Sequence, residues 1–337
     1  MNPFSYQRAG DIDEAVREAA AGGACFIAGG TNLLDLMKEN VERPRRLIDI
    51  SRLPLDQVED TPEGGLRVGA LVRNADLAMH PRVRDRYPLL SSALLAGASP
   101  QLRNMATTGG NLMQRTRCYY FYDTATACNK RAPGSGCGAI GGVTRIHAVL
   151  GASEHCIATH PSDMCVAMAA LRATVNVTGP EGARAIPFGD FHRLPGNAPQ
   201  RDNCLAPGEL ITSVDLPPEG FASHYSYLKI RDRLSYAFAL VSVAAALRIE
   251  DGRIAQARVA LGGVAHKPWR VASAEQLLEG RHPGEEIFLR CADALLHGAK
   301  GQGGNDFKIS LARRAIARAL GQAADGTPQR QFDKRIA

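Results

Sequence analysis

No stretch of this chain is apolar for long enough to cross a bilayer. The longest, Tyr236 to Leu247, falls well short of the ~20 residues that a spanning helix needs, so no membrane role is expected. No run of Lys and Arg reaches five residues and no familiar nucleic-acid module is present. The net charge of +6 therefore does not point to nucleic acid. No Cys-x-x-Cys pair occurs, which argues against a zinc ribbon. No Ser-His-Asp set and no defensible pair of carboxylates marks a hydrolytic or acid–base centre. The opening MNPFSYQRAGDIDEA lacks the charged, then apolar, then small-residue plan of a signal peptide. By itself the chain is expected to be cytoplasmic, and periplasmic only if exported with a partner that carries a signal.

What is present describes an ordinary soluble globular protein: 337 residues, 45% hydrophobic and 22% charged, long enough for two or three structural units. The closing GTPQRQFDKRIA is polar and is expected to be a loose tail. Eight cysteines in a chain this long are too sparse for a disulfide scaffold, so their clustering points to metal or redox chemistry.

Asp11 with Glu14 three residues on predicts a helix start, and Gly22-Gly23 its end. Cys25 to Ala28 then reads as a short buried strand running into Gly29-Gly30-Thr31-Asn32, with Leu33, Leu34, Leu36 and Met37 helical. A strand, a glycine turn and a helix start suit an anion, because bare N–H groups and the helix dipole favour negative charge. No Gly-Lys-Ser/Thr follows and this turn has no G-x-G-x-x-G, so a plain tight turn remains an alternative. Arg46–Ile50 and Leu66–Leu71 read as strands, Asn74 as a helix cap, and Pro88–Ala98 as a helix. This alternation predicts an α/β or α+β lobe. A second glycine turn follows in Thr107-Thr108-Gly109-Gly110-Asn111, flanked by Arg103 and Arg115 as possible charge partners.

Cys118, Cys128, Cys137 and Cys156 are separated by nine, eight and eighteen residues in a Gly/Pro-rich segment. Thiolates on an irregular loop suit an iron–sulfur cluster, which needs converging sulfurs rather than regular structure; unrelated buried thiols are the alternative. Cys25, Cys165, Cys204 and Cys291 sit in strand, helix or isolated contexts and read as ordinary thiols. Ser162 reads as a helix cap, with Asp163 either favouring the dipole or binding ligand hydroxyls. A hairpin around Pro180-Glu181-Gly182 and a strand to Leu216 precede Pro217-Pro218. Beyond them come strands at His224–Arg231, Tyr236–Ile249 and Ile254–Val264, then helices near 271–279, 284–299 and 307–321.

Together, Ile27–Leu34, Thr107–Leu112, His160–Asp163, Pro207–Ile211 and Tyr227–Arg233 resemble, in order and spacing, the FAD-binding medium subunit of the xanthine oxidase family of molybdenum hydroxylases. The Cys-bearing segment narrows the resemblance to the flavin/iron–sulfur subunit of bacterial periplasmic aldehyde oxidoreductases, with 4-hydroxybenzoyl-CoA reductase as the rival. The resemblance implies an α+β fold: a two-lobed FAD-binding domain over 1–218 (lobes about 1–54 and 55–218), with a [4Fe–4S] insertion near 115–158. A C-terminal domain over 219–325, a three-stranded antiparallel sheet covered by helices, precedes a tail at 326–337. By the same resemblance, Phe26, Ile27, Ala28, Gly29, Gly30, Thr31, Asn32 and Leu33 cradle the FAD pyrophosphate. Thr107, Thr108, Gly109, Gly110 and Asn111 line the other side of the dinucleotide. Asp163 holds a polar group of FAD, and Ile211 and Lys229 lie near the ring system. Cys118, Cys128, Cys137 and Cys156 ligate the [4Fe–4S] cluster. The implied partners are a molybdenum-cofactor large subunit, a [2Fe–2S] small subunit and an external electron acceptor. The implied role is electron transfer in aldehyde oxidation, without activity on aldehyde alone. A non-catalytic iron–sulfur scaffold or sensor is the alternative of a different class.

Overall fold

A computed structural model describes residues 1–234 and 236–326. The expected tail lies outside the described residues from 327 onward. The first lobe contains β1 (Ser5–Arg8), α1 (Ile12–Ala20), β2 (Ala24–Ile27), α2 (Leu33–Lys38) and β3 (Arg46–Asp49). The strands form a parallel sheet in the order β1-β3-β2. Asp11 caps α1 by accepting from the Glu14 N–H at 2.7 Å, and Glu14 reaches back to the Gly10 N–H at 2.7 Å. Ala15, Val16 and Ala19 of α1 are buried against Ile48 and Ile50. The strand β1 has no counterpart in the sequence reading. Its SYQR is mostly exposed and polar, and it is a strand because it pairs along β3.

The second lobe opens with β4 (Val58–Asp60) and β5 (Leu66–Gly69). The helices α3 (Asn74–Met79), α4 (Pro81–Arg86), α5 (Pro88–Ala96), α6 (Pro100–Arg103), α7 (Thr108–Leu112) and α8 (Tyr119–Tyr122) follow. Proline at the first position starts α4, α5 and α6, where its missing N–H costs nothing. After a long irregular segment come α9 (Asp163–Ala170), β6 (Thr174–Gly179), β7 (Gly182–Pro187), α10 (Phe188–Phe191) and β8 (Leu210–Leu216). The sheet is antiparallel throughout, in the order β4-β5-β8-β6-β7. The first hundred residues thus divide between a parallel and an antiparallel sheet instead of alternating within one.

The third unit comprises β9 (Tyr225–Ile230), β10 (Val241–Glu250), β11 (Arg253–Gly262), α11 (Ala272–Gln276), α12 (Glu285–Leu295) and α13 (Phe307–Ala324), with an antiparallel sheet ordered β11-β10-β9. Strand β10 begins at Val241 rather than Tyr236. Its residues alternate faces as the pleat requires. Val243, Ala245 and Leu247 join the core formed with α12 and α13, whereas Ala244 and Ala246 join the core of the second lobe. The small alanine side chains let α9 lie close on this sheet. Every residue of α9 is buried, as expected for a helix with no polar face. Thus α9 is the piece wedged between the second lobe and the third unit.

Candidate functional site

Strand β2 delivers Phe26 and Ile27 into the turn Ala28–Asn32, and α2 begins at Leu33. The amides of Gly29, Gly30, Thr31, Asn32 and Leu33 donate to no carbonyl in any turn, loop or cap among the described residues, and all five residues are half-buried. These bare donors sit at a helix N-terminus, where an anion is favoured. A Cβ on Gly29 would land on the Met105 carbonyl. Gly30 has φ +71°, and its Cβ would lie 2.8 Å from Leu34 Cδ1. The first glycine turn therefore packs against the segment that leads to the second. Arg117 braces it, donating to Asn32 Oδ1 at 2.6 Å and pairing with Asp35 at 3.3 Å.

The second glycine segment is not a turn. Thr107 caps α7 by accepting from the Gly110 N–H, so the glycines lie in the first turn of a short helix. Its amides are committed: Thr108 donates to Val72 O, Gly109 to Ala70 O, and Asn111 to Thr107 O. The segment offers side chains instead. Asn111 Nδ2 donates to Asn74 Oδ1 at 2.7 Å, and Asn111 Oδ1 accepts from Ser162 Oγ at 2.5 Å. Asn74 is thus a buried partner of Asn111 rather than a cap, the cap position of α3 being Arg73. Thr108 and Gly109 are buried, while Gly110 and Asn111 are half-buried.

Neither expected charge partner is free. The Arg103 guanidinium donates to the Gly97 carbonyl at 2.6 Å, and Arg115 is bound by Asp202 and Glu42. Ser162 caps α9, accepting from the Cys165 N–H at 3.1 Å, which fixes Asp163 at the first helical position. One Asp163 oxygen accepts from Tyr227 Oη at 2.6 Å and the other from Lys229 Nζ at 2.7 Å. Lys229 also donates to Ala96 O at 3.0 Å. The structure therefore brings the first turn, α7, Asp163 and Lys229 into one seam spanning all three units. Ile211 lies apart from these polar contacts, buried in β8 within the core of the second lobe.

The Asp163–Lys229 pair is almost fully buried, with side chains 7% and 5% exposed. Removing one partner strands a buried charge, which costs about 3–5 kcal/mol. Lys229→Met is expected to lose about that much unfolding free energy in urea titration. A loss below ~1 kcal/mol would mean that water reaches Asp163.

Cys118, Cys128, Cys137 and Cys156 line a single cavity, and all eight cysteines of the chain are free thiols. Cys128 and Cys137 face each other across a bridge of backbone pairing, Cys118 precedes α8, and Cys156 closes a turn with Ser153. Burial pushes the Cys118 thiol up to about 12, against the amides of Phe121 and Tyr120, which favour the thiolate. Cys156 is also raised by burial, against Lys130 and the Ala158 amide. His147 Nε2 lies 3.0 Å from Cys118 Sγ, and burial lowers this imidazole to about 4, so it is neutral. Convergent thiols supplied with N–H donors match what a sulfur-ligated cluster needs from its protein.

Cys165 is not among the cavity residues; it is fully buried in the core of the second lobe. It forms there, with His160 and His192, a trio of potential metal ligands that sequence reading did not anticipate. Burial pushes the Cys165 thiol up to about 12 and holds both imidazoles neutral, His192 at about 4. His160 Nδ1 accepts from the Ser162 N–H at 3.4 Å, leaving its proton on Nε2, and His192 Nε2 donates to Leu112 O at 2.9 Å. A metal would have to displace protons from both Cys165 and His160, so the trio is best described as packed core.

The family described as the FAD binding domain in molybdopterin dehydrogenase matches residues 2–219, and the CO dehydrogenase flavoprotein C-terminal domain matches 225–323. The chain belongs to the FAD-binding medium subunits of the molybdenum hydroxylases. As such it is an FAD-binding oxidoreductase subunit. It is 55% identical over 326 residues to the aldehyde oxidoreductase FAD-binding subunit PaoB of Escherichia coli, covering 96% of this chain and 99% of that one. It is 26% identical to the carbon monoxide dehydrogenase medium chain of Afipia carboxidovorans, over 95% and 98% of the two chains. Among solved structures it resembles quinoline 2-oxidoreductase from Pseudomonas putida, with a TM-score of 0.73, 26% identity and coverage of 96% and 98%. Carbon monoxide dehydrogenase from Hydrogenophaga pseudoflava gives a TM-score of 0.75 at 25% identity over the same shares. Membership of this family fits the bare amides of the first turn, which offer a dinucleotide the donors its phosphates require.

Proposed function

We propose that this chain is the electron-transfer subunit of a molybdenum-dependent aldehyde oxidoreductase, carrying FAD and a [4Fe–4S] cluster. The observation that carries the cluster is the convergence of Cys118, Cys128, Cys137 and Cys156 on one cavity. The aldehyde assignment rests on the identity with the E. coli subunit along nearly the whole chain. FAD, when bound, supplies the exchange between one-electron and two-electron carriers.

The residues of this chain bind and orient. Gly29 to Leu33 turn bare amides toward the pyrophosphate. Gly110 and Asn111 line the opposite wall of the seam. Asp163, held at the helix start by the Ser162 cap and by its bonds to Tyr227 and Lys229, keeps lone pairs on both oxygens for ligand hydroxyls. The four cysteines hold the cluster as thiolates. A molybdenum-cofactor subunit performs the oxidation, a [2Fe–2S] subunit passes electrons here, and an external acceptor receives them.

Purification through a tag on this chain is expected to yield a complex with molybdenum and [2Fe–2S] subunits, FAD and a [4Fe–4S] EPR signal. The isolated chain reconstituted with FAD is expected to leave aldehydes unoxidised. Aldehyde turnover by the isolated chain, or a complex free of cluster iron on this subunit, would sink the proposal.

A further inference from the structure

We propose that Lys130 supplies a buried countercharge to the cluster held by Cys118, Cys128, Cys137 and Cys156, raising its reduction potential, and that Asp202 opposes that effect. The inference rests on the cluster reading above. Lys130 lines the same cavity as the four cysteines, and its side chain is 1% exposed. Its Nζ contacts Pro199 O at 2.6 Å, His266 Nε2 at 2.8 Å and an Asp202 carboxylate oxygen.

These contacts fix the charge state. His266 Nδ1 faces the Arg193 carbonyl at 2.8 Å, and a carbonyl only accepts, so Nδ1 carries the ring proton. Nε2 faces Lys130 Nζ at 2.8 Å, with Asp202 Oδ1 3.3 Å away; an amine holds a proton more tightly than an imidazole does, so the proton shared between the two nitrogens sits on Nζ and the lone pair of Nε2 points at Lys130. A carbonyl, a carboxylate and an imidazole lone pair then meet three N–H bonds, which only an ammonium possesses. Asp202 is the matching anion. Burial works against its ionisation, but Arg115 and Lys130, one on each carboxylate oxygen, hold it well below the usual carboxylate range. Arg115 binds the far oxygen of Asp202 at 2.6 Å and continues to Glu42. The network alternates cation and anion, and Lys130 is its member on the cysteine cavity.

The iron ions, inorganic sulfides and four thiolates of such a cluster together carry net negative charge, and reduction by one electron adds another negative charge without making or breaking a bond. A fixed cation at the cavity wall stabilises the reduced form more than the oxidised form, and a fixed anion does the reverse. Arg131 is another cation near the cysteines, but it is spent on the carbonyls of Tyr120, Phe121 and Thr126 and is partly open to solvent, which screens it, and buried Lys308 is spent on the carbonyls of His147 and Gly263 and does not line the cavity.

The test is an EPR-monitored redox titration of the [4Fe–4S] signal in the purified complex. Lys130→Met is expected to raise the oxidised-to-reduced ratio about tenfold at the wild-type midpoint, a shift of ~59 mV to lower potential. Lys130→Arg is expected to keep the midpoint, and Asp202→Asn to move it upward. A purely structural role would not give opposite signs. An unchanged midpoint in Lys130→Met with full iron, or shifts of the same sign in Lys130→Met and Asp202→Asn, overturns the inference while leaving the cluster in place. If Lys130→Met fails to retain iron, Asp202→Asn decides: a raised midpoint supports the inference, and an unchanged or lowered one overturns it. Absence of cluster iron from the wild-type subunit would instead overturn the reading on which the inference rests.

Discussion

If the proposed cluster assignment holds, serine at Cys118, Cys128, Cys137 or Cys156 is expected to lower the iron of this subunit well below a full cluster complement, or to stop the complex assembling, whereas serine at Cys165 is expected to leave iron unchanged. The contrast follows from where the sulfurs lie. The four line one cavity bounded by loops, with amides of Phe121, Tyr120 and Ala158 and the ring of His147 turned toward Cys118 or Cys156. In the proposed assignment each sulfur lost removes a ligand, and the cavity has no fifth thiol to replace it. Cys165 belongs to another core, and its backbone N–H is spent on capping α9 through Ser162. Its replacement by serine removes a sulfur but keeps a small side chain, and costs at most ~1–3 kcal/mol if the new hydroxyl finds no partner. Iron analysis and the EPR signal of the reduced cluster are the measurements. Loss of the cluster in Cys165→Ser with retention in Cys156→Ser would show that the fourth ligand is misassigned.

Features set by local chemistry were legible in the sequence, and those set by tertiary contact were not. The Asp11–Glu14 pair reads as a cap because the hydrogen bonds that make it one close within four residues. The hairpin at Pro180–Gly182 reads as a turn for the same reason. Asn74 was misplaced because a polar residue ahead of an apolar run looks like a cap, yet its carboxamide is spent on Asn111 and on Met164, 37 and 90 residues away. Gly109 and Gly110 looked like a turn, since glycine is rare inside helices. Their place in α7 is explained instead by close packing: a Cβ on Gly109 would come within 3.1 Å of Ala70 Cβ. Strand β1 had no apolar alternation to betray it. The Lys130–Asp202–His266 network joins residues 72 and 136 positions apart, and nothing local in a lone lysine, aspartate or histidine signals such a meeting.

The grouping of the cysteines was visible as a compositional fact, but their convergence was not derivable from spacings of nine, eight and eighteen residues. The pairing of Cys128 with Cys137, which brings two of them together, is supported by the Asn129 side chain. Its Oδ1 accepts from the amides of Gly134 and Gly136, and its Nδ2 donates to the His155 carbonyl beside Cys156. One asparagine thus ties three of the four cysteine-bearing strands of loop together. That is a tertiary function for a residue type whose local habit is the turn.

Alanine at Gly29 and valine at Gly30 are each expected to strip FAD from the complex. A Cβ at Gly29 falls on the backbone carbonyl of Met105, which cannot rotate aside as a side chain would. The turn must then retreat from the second lobe, an overpacking cost of about 1–3 kcal/mol, and its bare amides leave the phosphate position. At Gly30 the penalty has a second source. The residue holds φ +71°, a conformation that a β-branched side chain strongly resists, at a cost of about 1–3 kcal/mol, and its Cβ would press on Leu34 Cδ1 at 2.8 Å. Each ~1.4 kcal/mol withheld from the bound geometry is tenfold in affinity, so FAD is expected to bind about 5- to 150-fold more weakly and the flavin-to-protein ratio measured after desalting to fall clearly below that of the wild type. Valine at Gly110 should act more weakly, because its Cβ meets only the capping Thr107 hydroxyl at 3.0 Å. Alanine at Gly64 is the control for general destabilisation. That residue also has positive φ, +82°, but nothing lies within 4 Å of its Cβ, and it sits in the β4–β5 turn. Its flavin content should match the wild type. Full FAD occupancy in Gly29→Ala and Gly30→Val would show that this turn does not hold the dinucleotide, whereas equal flavin loss in Gly64→Ala would show that stability rather than the cradle governs occupancy.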